Sequence, residues 1–161
     1  MKISTRHISG DEKFSYRQAD LKDIPSLGAL MDRAYDGTID HEGETPDQCT
    51  EEMNDTLTGK YGPFLKDASF VMTADDKIIC ASLITFYKEK PLLAFSMTDP
   101  DFQKRGMAGF LIKRSINALA DMGYSELYLV VTEGNLPAQN LYARLGFSQL
   151  SRAWPQHPPP N

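Results

Sequence analysis

A mixed α/β domain is the fold class that this sequence predicts. Apolar, strand-like runs at 68–74, 77–87 and 91–98 follow one another with short polar breaks, the pattern of an antiparallel meander. From residue 91 onward strand-like and helix-like runs alternate in the order strand, helix, strand, helix, strand. At 161 residues and 41% apolar content, the chain can bury one sizeable core without a second domain.

The elements are expected in this order. A first strand falls at about 13–19, followed by a helix at 21–35. Asp20 is placed to cap that helix, and Ile24, Leu27, Leu30, Met31 and Ala34 form its apolar stripe. Residues 36–45 read as a loop. A second helix at 46–59 has Thr45 as cap and Pro46 at its first position. The strands at 68–74 and 77–87 are joined by a tight Asp75-Asp76 turn. After the strand at 91–98 come a helix at 106–122 ending at Gly123, a strand at 125–132, a helix at 136–145 and a last strand at 147–153. Residues 1–12 read as a polar extension and 154–161 as a Pro-rich tail, so the domain core is expected at 14–153.

The segment Gln103-Lys104-Arg105-Gly106-Met107-Ala108-Gly109 lies between a strand-like and a helix-like run. The first N–H groups of a helix lack internal partners, and the helix dipole favours negative charge there. Gly106 and Ala108 let an anion approach the main chain, and Lys104 and Arg105 add positive charge. A phosphate or pyrophosphate is the ligand this arrangement suits; an ordinary strand-to-helix turn with two solvated basic residues is the plainer alternative. The P-loop and dinucleotide glycine patterns are absent.

Gln103-x-x-Gly106-x-Ala108 resembles the Gln/Arg-x-x-Gly-x-Gly/Ala signature of GNAT-type N-acetyltransferases. A second stretch, Asn135 to Phe147, resembles that family's Asn-x-x-Ala-x-x-Leu-Tyr-x-x-x-Gly-Phe at every named position. Local physics agrees with a helix there. Asn135 is a good cap, and Pro137 falls in the first turn. Ala138, Leu141, Tyr142 and Leu145 share one face, and Gly146 can close the helix in the left-handed conformation. The resemblance covers roughly 14–153 and is densest from Leu92 to Phe147.

It implies the GNAT acyltransferase fold: α/β, with a mixed, mostly antiparallel central sheet and helices on both faces. It also implies an N-acetyltransferase, in which a primary amine of a small molecule or peptide attacks acetyl-CoA directly inside a ternary complex. The alternative is a non-catalytic acyl-CoA-binding or regulatory module of the same fold. Gln103 to Gly109, residue by residue, would cradle the pyrophosphate of acetyl-CoA. A bulge at Met97 and Thr98 would offer main-chain N–H groups to the carbonyl or the pantetheine arm. Asn135, Ala138, Asn140 and Tyr142 would complete the cofactor contacts; for Asn135 and Asn140 a mere cap or a solvated helix residue is the alternative.

Tyr142 matches the family's general acid; a phenol with a reference pKa near 10 can donate to a thiolate at pH 7. A tyrosine on a buried helix face with its hydroxyl at the rim is the alternative. An alkyl amine of pKa about 10.4 costs about 4–5 kcal/mol to hold neutral at pH 7, so a base is needed. Glu133 is the carboxylate nearest the expected cleft, with Asp99 next; a solvated loop carboxylate is the plainer alternative for either.

The segment 36–55 carries Asp36, Asp40, Glu42, Glu44, Asp47, Glu51, Glu52 and Asp55 without a Lys or Arg. It reads either as a solvated acidic face or as a mouth that concentrates a cationic amine. Tyr35, His41, Tyr61 and Phe64 are candidates to shape an acceptor pocket. A net charge of -5 argues against a nucleic-acid partner, and no apolar run approaches a membrane span. Cys49 and Cys80 make neither a disulfide framework nor a metal spacing, and a cytoplasmic setting is expected. The prolines after Trp154 cannot sit in a central strand. The sheet edge beside the last strand is therefore expected to be exposed or covered in a homodimer.

Overall fold

The computed structural model describes residues 1–5, 14–38 and 41–149. Six strands form one sheet: β1 (Lys2–Ser4), β2 (Arg17–Gln18), β3 (Phe70–Ala74), β4 (Lys77–Tyr87), β5 (Lys90–Thr98) and β6 (Glu126–Leu129). Their order across the sheet is β1-β6-β5-β4-β3-β2. Only β5 and β6 run parallel among these pairs; the others are antiparallel. The helices are α1 (Ile24–Tyr35), α2 (Pro46–Leu57), α3 (Met107–Asp121) and α4 (Leu136–Leu145). A mixed, mostly antiparallel sheet between helices is the architecture expected.

Turn chemistry sets the meander. Asp75 and Asp76 have φ of 50° and 62°, and Lys88 and Glu89 have 49° and 65°. Both central residues are thus left-handed in each two-residue turn, which matches the twist of paired strands. One sheet face packs on α1 and α2 through Leu27, Leu30, Met53, Leu83 and Phe95. The other buries Ile112, Ile116, Leu119, Leu127 and Phe147 beneath α3 and α4. Alternate residues of a strand reach opposite faces, so both faces of β4 and β5 are apolar.

Two register shifts bend this sheet. In β4 the extra residue against β3 is Ile79, since Met72 faces Cys80 and Thr73 faces Ile78. In β5 the extra residue against β4 is Ala94, since Leu83 faces Phe95 and Ile84 faces Leu93. Ala94 and Phe95 therefore point to the same face and join the same core cluster. The bulge expected at Met97 and Thr98 is corrected: it lies at Ala94, where two successive side chains are buried on one face.

The ends of the chain also differ from expectation. Residues 2–4 are a strand, not a polar extension, and pair with β6 in the register Lys2–Tyr128, Ile3–Leu127, Ser4–Glu126. Ser148 bonds the far side of Lys2 in both directions, at 3.0 and 2.9 Å. The β6 edge is thus paired within the chain, and the homodimer inferred from that edge draws no support from it. Lys2 Nζ reaches Glu126 at 2.6 Å. The first strand is shorter than expected, at Arg17–Gln18, and the expected strand residues 150–153 lie outside the described residues.

The two-helix layer is held by close approach and by charge. A Cβ on Gly28 would lie 2.6 Å from Thr50 Cα, so α1 and α2 touch through bare backbone. Asp23, 5% exposed, accepts two bonds from Arg17 at 2.8 and 2.9 Å and one from Asp20 N–H at 2.8 Å. Burial alone would raise the Asp23 pKa; the Arg17 fork and the Asp20 amide outweigh it and hold the carboxyl below its ordinary range.

Gly28→Ala is expected to force the helices apart and cost about 1–3 kcal/mol despite the better helix propensity of alanine, read as a lower thermal midpoint. Because the Asp23 pKa is depressed by folding, its contribution is present above about pH 4–5 and is lost as the pH falls through the folded value. Urea unfolding between pH 5 and pH 3 should therefore lose stability more steeply in the parent than in Asp23→Asn; equal slopes would contradict the assignment.

Candidate functional site

β5 and β6 pair only at Leu92–Tyr128 and Leu93–Leu129. Past the bulge they part, and a cleft of about 630 Å³ opens between the end of β5 and the β6–α4 connection. Ser96, Met97 and Thr98 form its floor. Met97 is 1% exposed and packs its side chain in the core. Thr98 Oγ1 lies 3.5 Å from Cys80 Sγ. Burial pushes the Cys80 thiol up to about 11, which keeps it protonated at neutral pH.

The first wall is the loop into α3. Gly106 is the N-cap of α3 at φ 80°, and Lys104 is also left-handed at φ 64°. The Phe110 N–H to Gly106 carbonyl bond (3.0 Å) opens the helix ladder. The N–H groups of Met107, Ala108 and Gly109 therefore precede it, at the positive end of the helix dipole. A Cβ on Gly106 would meet nothing within 4 Å, so the space over this turn is open. Inside the sheet layer, Ser115 of α3 is fixed to Ser82 of β4 by a buried hydroxyl pair at 2.9 Å, which anchors the helix. Gln103, Lys104, Gly106, Met107, Ala108 and Gly109 all line the cleft, as expected. Arg105 does not; its guanidinium donates to the Asp101 carbonyl at 3.2 Å and stacks over Phe102 at 4.9 Å.

The second wall is α4. Asn135 caps it by accepting from Ala138 N–H at 3.3 Å. Gly146 closes it at φ 106°, and Phe147 N–H donates to the Tyr142 carbonyl at 3.0 Å. That cap folds the Phe147 ring edge-on against Tyr142 at 5.8 Å. Asn135, Ala138 and Tyr142 line the cleft, whereas Asn140 is exposed and outside the lining. Arg144 lines it too, three residues beyond the lining Leu141 toward the C-terminus of α4. Sequence reasoning missed Arg144, because its position follows the lining face only once the cleft is known.

The third wall is the end of α1, with Ala34, Tyr35 and Thr38. Of the residues expected to shape an acceptor pocket, Tyr35 alone lines this cleft. Phe64 packs into the α1–α2 core and bridges Thr85. Tyr61 hydrogen-bonds Glu52, and His41 sits 4.0 Å from Glu44. Burial pushes the Glu52 carboxyl up, against the Tyr61 bond, and one of its oxygens is buried without a hydrogen-bond partner. Asp40 lies outside the described residues, and none of the other acidic positions from 36 to 55 lines the cleft.

Neither candidate base is in the lining. Glu133 is exposed beside Gly134, which does line the cleft. Asp99 is 2% exposed and fully engaged: Asp101 N–H and Arg33 Nε each donate at 2.8 Å, and Lys77 Nζ is 3.7 Å away. Burial alone would raise its pKa; these bonds and charges outweigh it and hold the carboxyl low, the opposite of what a base near neutral pH requires. The charged groups of the lining among the described residues are Lys104 and Arg144, both cationic. The cleft therefore suits an anionic ligand.

Residues 32–147 match the acetyltransferase (GNAT) family. The ribosomal protein bS18-alanine N-acetyltransferase of Salmonella typhimurium is 33% identical over 78 residues, 48% of this chain and 53% of that protein. Its Haemophilus ducreyi counterpart is 34% identical over 89 residues, 55% of this chain and 61% of that protein. The chain thus spans between about half and three-fifths of the length of these curated relatives. A predicted acetyltransferase of Clostridium acetobutylicum, crystallised with acetyl-CoA, superimposes with a TM-score of 0.66 at 19% identity, covering 89% of this chain and 95% of that one. At that identity the likeness speaks for the fold.

Gly106→Glu would place a carboxylate in the open space over the helix N-terminus. Coenzyme A affinity, measured by calorimetry, is expected to fall at least tenfold, about 1.4 kcal/mol or more. Unchanged affinity would remove this loop from the site.

Proposed function

The chain belongs to the acetyltransferase (GNAT) family, and from that we propose that it transfers the acetyl group of acetyl-CoA to a primary amine of a small molecule or peptide. The observation that carries the proposal is the cleft itself. One continuous space joins an anion-binding helix N-terminus, the parted end of β5 and the Tyr142 side of α4. Pyrophosphate would lie on the N–H groups of Met107 to Gly109, beside Lys104. The pantetheine arm would run along Ser96 to Thr98, where a strand edge offers main-chain groups.

In direct transfer the amine nitrogen attacks the thioester carbonyl carbon. The carbonyl π electrons move onto oxygen, and the Thr98 main-chain N–H is the donor proposed to receive that charge; the Met97 N–H, two residues before the Asp99 N–H that bonds Ile79, faces β4 instead. Collapse re-forms the carbonyl, breaks the C–S bond and leaves a thiolate. Tyr142 is proposed to give the thiolate its proton. The amine must shed its own proton, and Glu133 at the rim beside Gly134, or solvent water at the mouth of the cleft, is the acceptor proposed for it. A peptide α-amine, of pKa about 7.7–8.0, costs about 1 kcal/mol to hold neutral at pH 7, against about 4–5 for a lysine amine. A peptide α-amine therefore makes the smaller demand on a cleft whose charged lining is cationic. The curated relatives act on an alanine of ribosomal protein bS18, which agrees with such an acceptor. Asp36, Glu42 and Glu44 follow closely on Tyr35, so an acceptor entering over α1 would meet negative charge.

Release of free coenzyme A from acetyl-CoA across α-amino peptides, lysine peptides, polyamines and aminoglycosides tests the proposal, with a no-amine blank. Amine-dependent release is expected, and binding without release for every amine would favour a non-catalytic module. Tyr142→Phe should lower kcat by about 10²–10⁴-fold, the usual worth of a positioned acid, with acetyl-CoA affinity held. A kcat within threefold of the parent would remove Tyr142 from that role.

A further inference from the structure

Asp99 stands where the walls of the cleft meet. Its N–H donates to Ile79 of β4 at 2.8 Å, and its carbonyl accepts from Phe102 N–H at 2.9 Å. Its Oδ1 accepts from Asp101 N–H at 2.8 Å, so one carboxylate oxygen shapes the turn that leads into the coenzyme loop. Its Oδ2 accepts from Arg33 Nε of α1 at 2.8 Å. The same guanidinium donates through Nη2 to the Ile78 carbonyl at 3.0 Å. Arg33 directly precedes Ala34 and Tyr35, which line the facing wall of the cleft. A single buried carboxylate therefore links the loop that holds the anion to the helix end across from it.

We propose that the Arg33–Asp99 pair is a positioning device that sets the spacing between the Phe102–Gly109 loop and the end of α1, and with it the affinity for acetyl-CoA. The proposal rests on the acetyl-CoA reading above for its functional consequence, but its structural content stands on the bonds alone. Neither residue touches the reacting atoms, since neither lines the cleft. The geometry suits the role. A guanidinium offers a fork with fixed angles, so its two bonds define direction as well as distance. A buried carboxylate with one oxygen on a turn amide and the other on a guanidinium cannot rotate without breaking both. Lys77 Nζ, at 3.7 Å and half-exposed, adds charge without that geometry.

The test uses the full chain as Arg33→Met, Arg33→Lys, Asp99→Asn and the Arg33→Met/Asp99→Asn pair. Circular dichroism and thermal unfolding establish that each is folded; Arg33→Lys, which keeps the charge, serves if the others are not. Two measurements follow: amide chemical shifts of Phe102 to Gly109 without ligand, and acetyl-CoA affinity by calorimetry. Loop amide shifts are expected to move in Arg33→Met although Arg33 lies on α1. Acetyl-CoA affinity should fall about tenfold in Arg33→Met and in Asp99→Asn and no further in the double, with a smaller loss in Arg33→Lys. Folded Arg33→Met with unmoved loop amides and parental affinity would overturn the proposal, as would additive losses in the double. If the parent itself binds no acetyl-CoA, the proposed function fails, while unmoved or moved loop amides still decide the positioning role.

Discussion

One residue in excess, Ala94 of β5, is the constraint on which the site depends. Side chains on a strand alternate with a period of two, so an inserted residue turns everything beyond it to the other face. Here it lets Ala94 and Phe95 both enter the α1–α2 core, while Leu93 faces α3. It also coincides with the end of the parallel pairing to β6, which stops at Leu93–Leu129. β5 and β6 then part, and the space between them is the cleft. The core on either face fixes the bulge: Phe95 is 1% exposed, and moving it one position would leave an aromatic ring without its pocket.

The second requirement is electrostatic. The protein carries a net charge of -5, yet the charged lining of the cleft is Lys104 and Arg144 together with the N-terminal end of α3. Local fields of this kind matter more than the overall sign of the protein, because a low-dielectric cleft screens them less than bulk water does. The buried carboxylate nearest the site, Asp99, is tied to Arg33 and Lys77. An anionic ligand thus meets positive charge in the lining, which no carboxylate among the described residues pairs, and a turn left open at Gly106.

What could be read from the residues was what is local. Capping at Thr45 and Asn135, the left-handed turn at Asp75-Asp76 and the helix stop at Gly146 depend on neighbours a few positions apart. The coenzyme loop was legible for the same reason, since small residues, basic residues and a helix start sit within seven positions. Long-range pairing left no such mark. Residues 2–4 read as a polar extension because three residues show no periodicity; only their partner β6 makes them a strand. The bulge lay hidden in an unbroken apolar run, Leu92 to Phe95, where either register buries every side chain. Asp99 looked like a loop carboxylate because its partner Arg33 is 66 residues away in sequence. Arg144 entered the site only through the orientation of α4 against the parted strands.

The central claim is that acetyl-CoA binds with its phosphates on the α3 N-terminus and its arm along the parted end of β5. Amide chemical shifts of the full chain, recorded while coenzyme A is titrated in, test it most directly. The largest changes are expected at Gly106 to Gly109 and at Ser96 to Thr98, with the β1–β6 pairing at Lys2 to Ser4 unmoved. Changes concentrated away from both segments, or none at saturating coenzyme A, would contradict it.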